Sequence, residues 1–587
     1  MSWLLSRIDR QIGISILLIV AATAAVLQFW GPYAISIAVA LLTWMYLCVA
    51  WNIIGGLVGQ VSFGHAAFFG IGGYVSTYLA TTYGISPWIG MLVGAILAAA
   101  AASAVGYLPF RWNLSPLVFA LLTLAFSYVL EFGVGGIKAL GGTNGLYAKA
   151  IGSTVWDMRF AEPGTFLVVI AAMLCALLVV VSFLYAGRLG FFWRAVHDNE
   201  AAAAAMGVNP FRIKQQALAI SAFATALAGS FQAQFIGFID PPSMFGIETT
   251  IFILLFTVVG GAGTLIGPLI GPLLLFPAGE VMRVYLQDHG GGALHHMLYG
   301  LALIAVILLW PGGVVAGLSR LGISRGRLRI PRVVTGLPVK PVPPLRPAVS
   351  TVLEVRNLRK VYGGLVAVDD VSFDVWSGEI FGVIGPNGAG KTTLFSMLGG
   401  FTKATSGSVT FNGREIKGLA PFEVCRLGLA RTFQITQAFP TLSVREIVFA
   451  AALAGNSEAE AAVALADEII ARMKLSARSD VKSADLTLAE QRRLEIARAL
   501  ATRPRLILLD EILGGLTPRE ADEAIDNIRS IRDSGVTVLV IEHMVRAVMT
   551  LCDRIIVLDA GEAISLGTPQ EISHDPRVIE AYLGDAA

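Results

Sequence analysis

The residues best suited to chemistry lie in the run GPNGAGKT, Gly385 to Thr392, which follows the apolar FGVIG and precedes TTLFSMLGG. Glycines let backbone N–H groups turn toward phosphate oxygens, Lys391 neutralises the outer oxygens, and Thr392 offers a hydroxyl to Mg²⁺ at the positive end of a helix. Every spacing of the phosphate-binding pattern is met, which a bare glycine turn has no reason to do. A second apolar run, LILLD, ends in Asp510, suited to polarise the Mg²⁺ shell, and Glu511 follows, suited to orient an attacking water. An acidic pair in that place can also cap the next helix; the phosphate-binding run favours the catalytic reading.

The elements that must hold these residues are short β-rich runs, EIFGVIG, LILLD, VTVLVIE and DRIIVLD, alternating from Val352 onward with helical stretches such as READEAIDNIRSIRDSG. That alternation predicts a parallel α/β sheet over residues 351–587. The preceding half has another solvent. The chain is 55% hydrophobic and 14% charged with a mean hydropathy of +0.70, values that exclude an ordinary soluble protein. About 21 of the charged residues fall in the first 318 positions and about 63 in the rest. Apolar runs long enough for a bilayer recur about ten times, near 11–30, 33–54, 60–80, 88–108, 114–133, 164–185, 216–238, 247–260, 264–286 and 293–310. Arg7 to Ala25 resembles a cleavable signal, but the apolar run continues to Trp30 and nine more follow, favouring a retained span.

With ten spans, Arg7, Arg10, Arg111, Arg188, Arg194, Arg212, Lys214, Arg320, Arg325, Arg327 and Arg329 all fall on one face, leaving Lys138, Lys149 and Arg159 opposite. The basic face is the cytoplasmic one, so both termini are expected there. The Arg- and Pro-rich stretch 312–350 cannot build a core and is expected to be an extended linker between a membrane domain over 1–311 and the α/β domain. IGPLIGP, Ile266 to Pro272, predicts a kinked or broken helix. Lys plus Arg at 43 against Asp plus Glu at 41 gives a net charge of +2, which argues against a nucleic-acid partner. The four cysteines have neither disulfide nor zinc-ligand spacing.

The α/β half resembles the ATPase domains of ABC transporters. The likeness extends to Tyr362 in VYGG, placed like the aromatic that stacks on adenine, to Gln434 in RTFQ, placed like the glutamine between the subdomains, and to His543 in VIEHM, placed like the switch histidine. It implies ATP and Mg²⁺ as cofactors. Gly385, Asn387, Gly388, Gly390, Lys391, Thr392, Thr393, Tyr362 and Thr487 are then nucleotide-binding, Thr392, Gln434 and Asp510 serve the metal, and Glu511, His543 and Gln434 serve catalysis. Three places depart from the family. The usual LSGGQ signature reads Leu486-Thr487-Leu488-Ala489-Glu490, Ile512 stands where a proline is usual, and Thr517 stands where an acid or amide is usual. Thr487 keeps the hydroxyl, but Leu488 and Ala489 place Cβ atoms where backbone should approach the γ-phosphate on a partner ATPase.

The membrane half resembles the permeases of bacterial branched-chain amino acid importers, through NIIGGLVGQVSFGHAAFFGIGGY, LGGTNGL and GRLGFFWRAVHDNEAAAAAMGVNP. The last run is similar to the coupling helix on which such permeases carry their ATPases. The resemblance implies an inner-membrane importer subunit needing a second permease, a second ATPase and a periplasmic solute-binding protein. An exporter half and an ATP-regulated channel are the rival readings. His65 either touches solute or bonds a neighbouring helix, and the second is the commoner role of a lone buried histidine.

Overall fold

The computed structural model describes residues 10–148, 155–158, 160, 162–288, 300–301, 304–305, 308, 312–320, 350–433, 439–455 and 458–583. It divides into two units, Met1–His197 with Pro210–Arg329, and Asp198–Asn209 with Ile330–Ala587.

The first unit is helical, apart from one short antiparallel pair, β1 (Leu146–Tyr147) with β2 (Phe238–Ile239): α1 (Arg10–Phe29), α2 (Pro32–Asn52), α3 (His65–Tyr83), α4 (Pro87–Arg111), α5 (Pro116–Gly136), α6 (Pro163–Ala186), α7 (Arg188–Asp198), then α9 (Pro210–Ile236), α10 (Pro241–Phe245), α11 (Ile247–Gly260), α12 (Gly267–Asp288) and α13 (Gly313–Arg320), with α8 (Glu200–Ala205) belonging to the second unit. Proline opens α2, α4, α5 and α6, where its missing N–H costs no helical hydrogen bond. Large apolar side chains such as Leu17, Leu117 and Phe132 are exposed on the outside, as a lipid-facing surface requires.

Among the described residues seven stretches are long and apolar enough to cross a bilayer: Gln11–Phe29, Pro32–Leu57, Pro87–Arg111, Pro116–Gly136, Pro163–Ala186, Pro210–Ile236 and Pro241–Gly260. The ten runs expected from the sequence are thereby corrected. The third run, α3, is too rich in Gly, Ser, Thr and Tyr to qualify. It packs against α4 and α9, so its polar groups face protein instead of lipid, and His65, Ser76 and Thr77 are fully buried. In the ninth run only Gly267–Met282 is apolar, and the tenth lies mostly outside the described residues. The linker region also begins differently from expectation: Gly313–Arg320 is helical and packs on α11 and α12, while 321–349 lies outside the described residues.

Close helix contact comes from small residues. Ser230 Oγ on α9 donates to the Gly72 carbonyl at 2.8 Å. His65 Nε2 meets Ser221 Oγ at 2.8 Å, and Ser221 donates to the Ala50 carbonyl at 2.7 Å, so the histidine ties α3 to α9. After α2 the chain widens into a π-helical turn, Ile53–Leu57. Gly56 there lies against Gly263: a Cβ would meet the Gly263 nitrogen at 2.5 Å. Asn52 joins the two breaks, accepting from Gly263 N–H and donating to the Thr264 carbonyl, both at 2.9 Å. IGPLIGP falls at the start of α12, a continuous helix containing Pro272 and Pro277, and the break precedes it at 261–266.

The second unit holds a six-stranded sheet, ordered β12-β11-β5-β10-β9-β8, with strands β5 (Ile380–Ile384), β8 (Leu429–Arg431), β9 (Leu506–Asp510), β10 (Thr537–Ile541), β11 (Arg554–Asp559) and β12 (Glu562–Gly567). β11, β5, β10, β9 and β8 run parallel, and β12 is antiparallel at the edge. A four-stranded antiparallel sheet is ordered β4-β3-β6-β7, with β3 (Thr351–Tyr362), β4 (Leu365–Trp376), β6 (Ser406–Phe411) and β7 (Arg414–Glu415). A single buried cluster joins the sheets, including Leu353, Phe373, Phe381, Phe395 and Phe411, and α16 (Val444–Gly455) and α17 (Ala459–Arg472) pack on each other and on the helix at Leu488–Ala501. β5, β10 and β9 are neighbours, so the loops leaving their C-terminal ends converge, which is where open α/β sheets bind ligands.

Candidate nucleotide site

The phosphate loop joins β5 to α14 (Lys391–Leu398). Gly385, Gly388 and Gly390 all have positive φ, and a Cβ on Gly390 would meet the Ala367 carbonyl at 2.2 Å, so the loop cannot be built from larger residues. No side chain caps α14. Lys391 is buried and folds back on the loop, its Nζ donating to the carbonyls of Gly385 at 2.7 Å and Pro386 at 2.8 Å. Burial pulls its pKa down and the Glu511 charge pushes the other way. Asn387, Gly388 and Thr392 are exposed at the mouth of the loop, and Thr393 is half-buried.

Asp510 ends β9, buried, with Oδ2 held by Arg431 at 2.9 Å. Its Oδ1 is also buried, with no hydrogen-bond partner among the described residues. Glu511 follows with φ +49, a left-handed conformation that is costly for a side-chain-bearing residue. Its backbone N–H donates to the Ile541 carbonyl at 3.0 Å, and its Oε1 meets His543 Nε2 at 2.5 Å. The structure thus unites Glu511 and His543 directly, from loops after adjacent strands.

Glu542, which no motif in the sequence marks, precedes His543 and is buried. Burial pushes its carboxyl up to about 7, with the Leu513 N–H opposing and the Glu511 charge adding. It accepts from Leu513 N–H at 2.8 Å, fixing the loop after Glu511. Its place as a carboxylate closing the apolar run VTVLVIE is the sign of it in the sequence. Arg431 was missed too, although a charged residue closing the apolar run LAR is a visible anomaly.

Tyr362, at the end of β3, is half-exposed, with Lys360 Nζ 4.6 Å from its ring centroid. Gln434 lies outside the described residues. Thr487 is exposed and engaged in its own helix. Its Oγ1 accepts from Glu490 N–H at 3.3 Å while its N–H donates to Glu490 Oε2 at 2.9 Å, closing a capping box on α18 (Leu488–Ala501). Burial opposes ionisation of Glu490, but the Thr487 N–H and Arg478, at 3.1 Å, outweigh it and hold its pKa below the usual value. Thr517, the other departure, caps α19 (Pro518–Asp533) in the same way through Glu520.

α8 packs on α15 (Pro421–Arg426) within this unit. Asn199 caps it, Arg426 Nε donates to the Gly207 carbonyl at 3.0 Å, Thr441 N–H and Oγ1 donate to Asp198, and Arg498 Nη1 donates to the Ala202 carbonyl at 3.3 Å.

The donor set fits magnesium nucleotide. A glycine loop at an uncapped helix N-terminus offers N–H groups to phosphate, a lysine and a hydroxyl stand beside it, and Asp510 presents an unpartnered oxygen. Among the described residues no group of three His, Cys, Asp or Glu is placed to hold a metal.

Fold and site together define an ATPase of the ABC class joined in one chain to a membrane permease. Residues 33–307 match the branched-chain amino acid transport system permease component, 368–514 the ABC transporter ATPase, and 564–587 the branched-chain amino acid ATP-binding cassette transporter. The high-affinity branched-chain amino acid transport ATP-binding protein BraF of Pseudomonas aeruginosa is 39% identical over 252 residues, covering 40% of this chain and 98% of that protein. The chain belongs to the branched-chain amino acid ABC transporter family. The lipopolysaccharide export system ATP-binding protein LptB of Acidithiobacillus ferridurans is 38% identical over 236 residues, covering 40% of this chain and 98% of that protein. A crystal structure of a nucleotide-free ATP-binding cassette from an ABC transporter is 31% identical with a TM-score of 0.38, covering 40% of this chain and 100% of that one. The chain is a membrane-embedded transporter component whose ATPase domain couples ATP hydrolysis to transport.

Proposed function

We propose that this chain supplies one permease and one ATPase to an importer that carries a branched-chain amino acid or a related small solute across the bacterial inner membrane. The reading is supported chiefly by the permease match over 33–307, because the membrane half selects the solute whereas similar ATPases belong both to branched-chain amino acid transport and to lipopolysaccharide export. One chain carries one copy of each half. A second permease, a second ATPase and a periplasmic binding protein that delivers the solute complete the assembly.

In this reading the glycine loop, Asn387, Lys391, Thr392 and Thr393 hold the phosphates, and Tyr362 stacks on the adenine. Thr392, Gln434 and Asp510 would hold Mg²⁺, which neutralises phosphate charge when bound. Glu511 orients the attacking water, His543 holds Glu511 in place, and Thr487 faces a partner's nucleotide. Segment 198–209 carries the motion of the ATPase toward the membrane helices.

The test is uptake of labelled leucine into proteoliposomes holding the assembled transporter and its binding protein. Competition by valine and isoleucine but not by unrelated amides, with dependence on internal ATP, is the expected result. Efflux in place of uptake would establish the exporter reading, and solute flux without hydrolysis the channel reading.

A further inference from the structure

We propose that Arg431 is a positioning residue for Asp510: it sets how strongly that carboxylate draws a divalent cation and passes to it the position of segment 198–209. The inference rests on Asp510 serving the metal.

Asp510 is used unevenly. Arg431 Nη2 grips Oδ2 at 2.9 Å, whereas Oδ1 is left without a partner among the described residues. Arg–carboxylate pairs are frequently bidentate, and this one engages a single oxygen. Here one oxygen is anchored and the other is kept for a ligand. A guanidinium next to the carboxylate attenuates its pull on a cation, and in a buried setting that attenuation is large.

Arg431 is itself held through both Nη atoms and its ring contacts, while its buried Nε has no hydrogen-bond partner among the described residues. Its guanidinium carbon lies 5.3 Å from the Phe401 ring centroid and 5.7 Å from that of Phe433, and Nη1 donates to Ser396 Oγ on α14 at 3.3 Å. Its main-chain carbonyl accepts from Arg498 Nη2 at 3.2 Å. Arg498 is fully buried, paired with Glu495 at 2.7 Å, and its other nitrogen, Nη1, donates to the Ala202 carbonyl of α8. Glu495 also accepts from Phe433 N–H at 3.3 Å. A continuous chain of buried contacts therefore leads from Ala202 through Arg498 to Arg431 and Asp510. Displacing segment 198–209 moves Arg498, then the Arg431 backbone, and changes the grip on Oδ2.

The experiment measures Mn²⁺ affinity of the full chain in lipid nanodiscs with saturating ATPγS, reading free Mn²⁺ by electron paramagnetic resonance. Arg431→Met and Arg431→Gln should each tighten Mn²⁺ about tenfold, the loss of one charge-assisted contact opposing the cation. Arg431→Lys keeps the charge and should stay within about threefold of the parent. Arg498→Lys, which cannot reach both acceptors, should tighten Mn²⁺ about threefold and add nothing in an Arg431→Met background, as expected of residues in one chain. A folded Arg431→Gln or Arg431→Met chain with unchanged or weaker Mn²⁺ binding overturns the proposal, and additive effects of the two sites overturn the link to segment 198–209. Asp510→Asn separates the failures. If it weakens Mn²⁺ while the Arg431 variants shift nothing, only this proposal falls; if it shifts nothing, the metal role of Asp510 falls as well.

Discussion

The phosphate loop and the segment Leu486–Glu490 each open a helix in the same unit, and they treat its first turn in opposite ways. α14 starts after Gly390 with no side-chain cap, so its N–H groups are available to an anion. α18 starts after Thr487, whose hydroxyl and N–H are both matched by Glu490. The same device closes α19 at Thr517 and another helix at Thr568. A helix N-terminus is thus either a ligand site or a folding device. At Thr487 the first turn has taken the folding form, and in the proposed reading the Glu490 carboxylate would oppose a partner's phosphate there.

Experiments can break that contrast. The largest effect belongs to Glu511→Gln, which should lower hydrolysis in the assembled complex by about 10²–10⁴ while leaving ATP binding intact, because only the water-orienting charge is lost. Parental turnover would remove Glu511 from the catalytic role. Lys391→Ala should weaken ATP binding about a hundredfold, read by displacement of a fluorescent nucleotide, since a charge-assisted contact to the outer phosphates disappears. The full chain purified alone should bind ATP and hydrolyse it poorly, and the triple change Leu488→Gly, Ala489→Gly and Glu490→Gln should raise that hydrolysis about tenfold by opening the helix end and removing the competing charge. Vigorous hydrolysis by the unmodified chain alone would end the contrast between the two helix starts.

The smallest effect is on stability. Glu542 is raised from the usual carboxyl value to about 7 mainly by burial, so the folded chain binds this proton more tightly than the unfolded one. Its contribution is therefore lost as pH rises from about 4.5 toward about 7 and stays lost above that. Glu542→Gln keeps the acceptor for Leu513 and should raise the ATPase melting temperature by about 2–4 °C at pH 8, with no difference near pH 4.5. A constant offset at all pH values would trace the effect to packing instead.

How much was legible in the sequence followed from how local each signal is. GPNGAGKT is a backbone instruction, since Gly385, Gly388 and Gly390 are needed wherever they occur, and the loop could be read without knowing its surroundings. Span number was less legible because apolarity reports lipid contact, and α3 is shielded from lipid by α4 and α9. Thr487 and Glu490 have the spacing of a capping box, but the same hydroxyl and spacing also fit the family's signature, so the sequence alone does not separate the two. The pairing of Arg431 with Asp510, 79 positions away, is a tertiary fact that no local pattern encodes.

Segment 198–209 meets the ATPase residues through a few contacts, Gly207 with Arg426, Asp198 with Thr441 and Ala202 with Arg498. Where permease and ATPase are separate proteins, such a contact must gather its partner from solution. Here the chain runs on from one half to the other, and tethering converts recruitment into an intramolecular event with an effective concentration on the order of millimolar. The contact therefore need not be as tight as a two-chain assembly would require. The same alanine or charge change at Asp198 that would dissolve a two-chain complex should leave this one assembled and slow only its cycle.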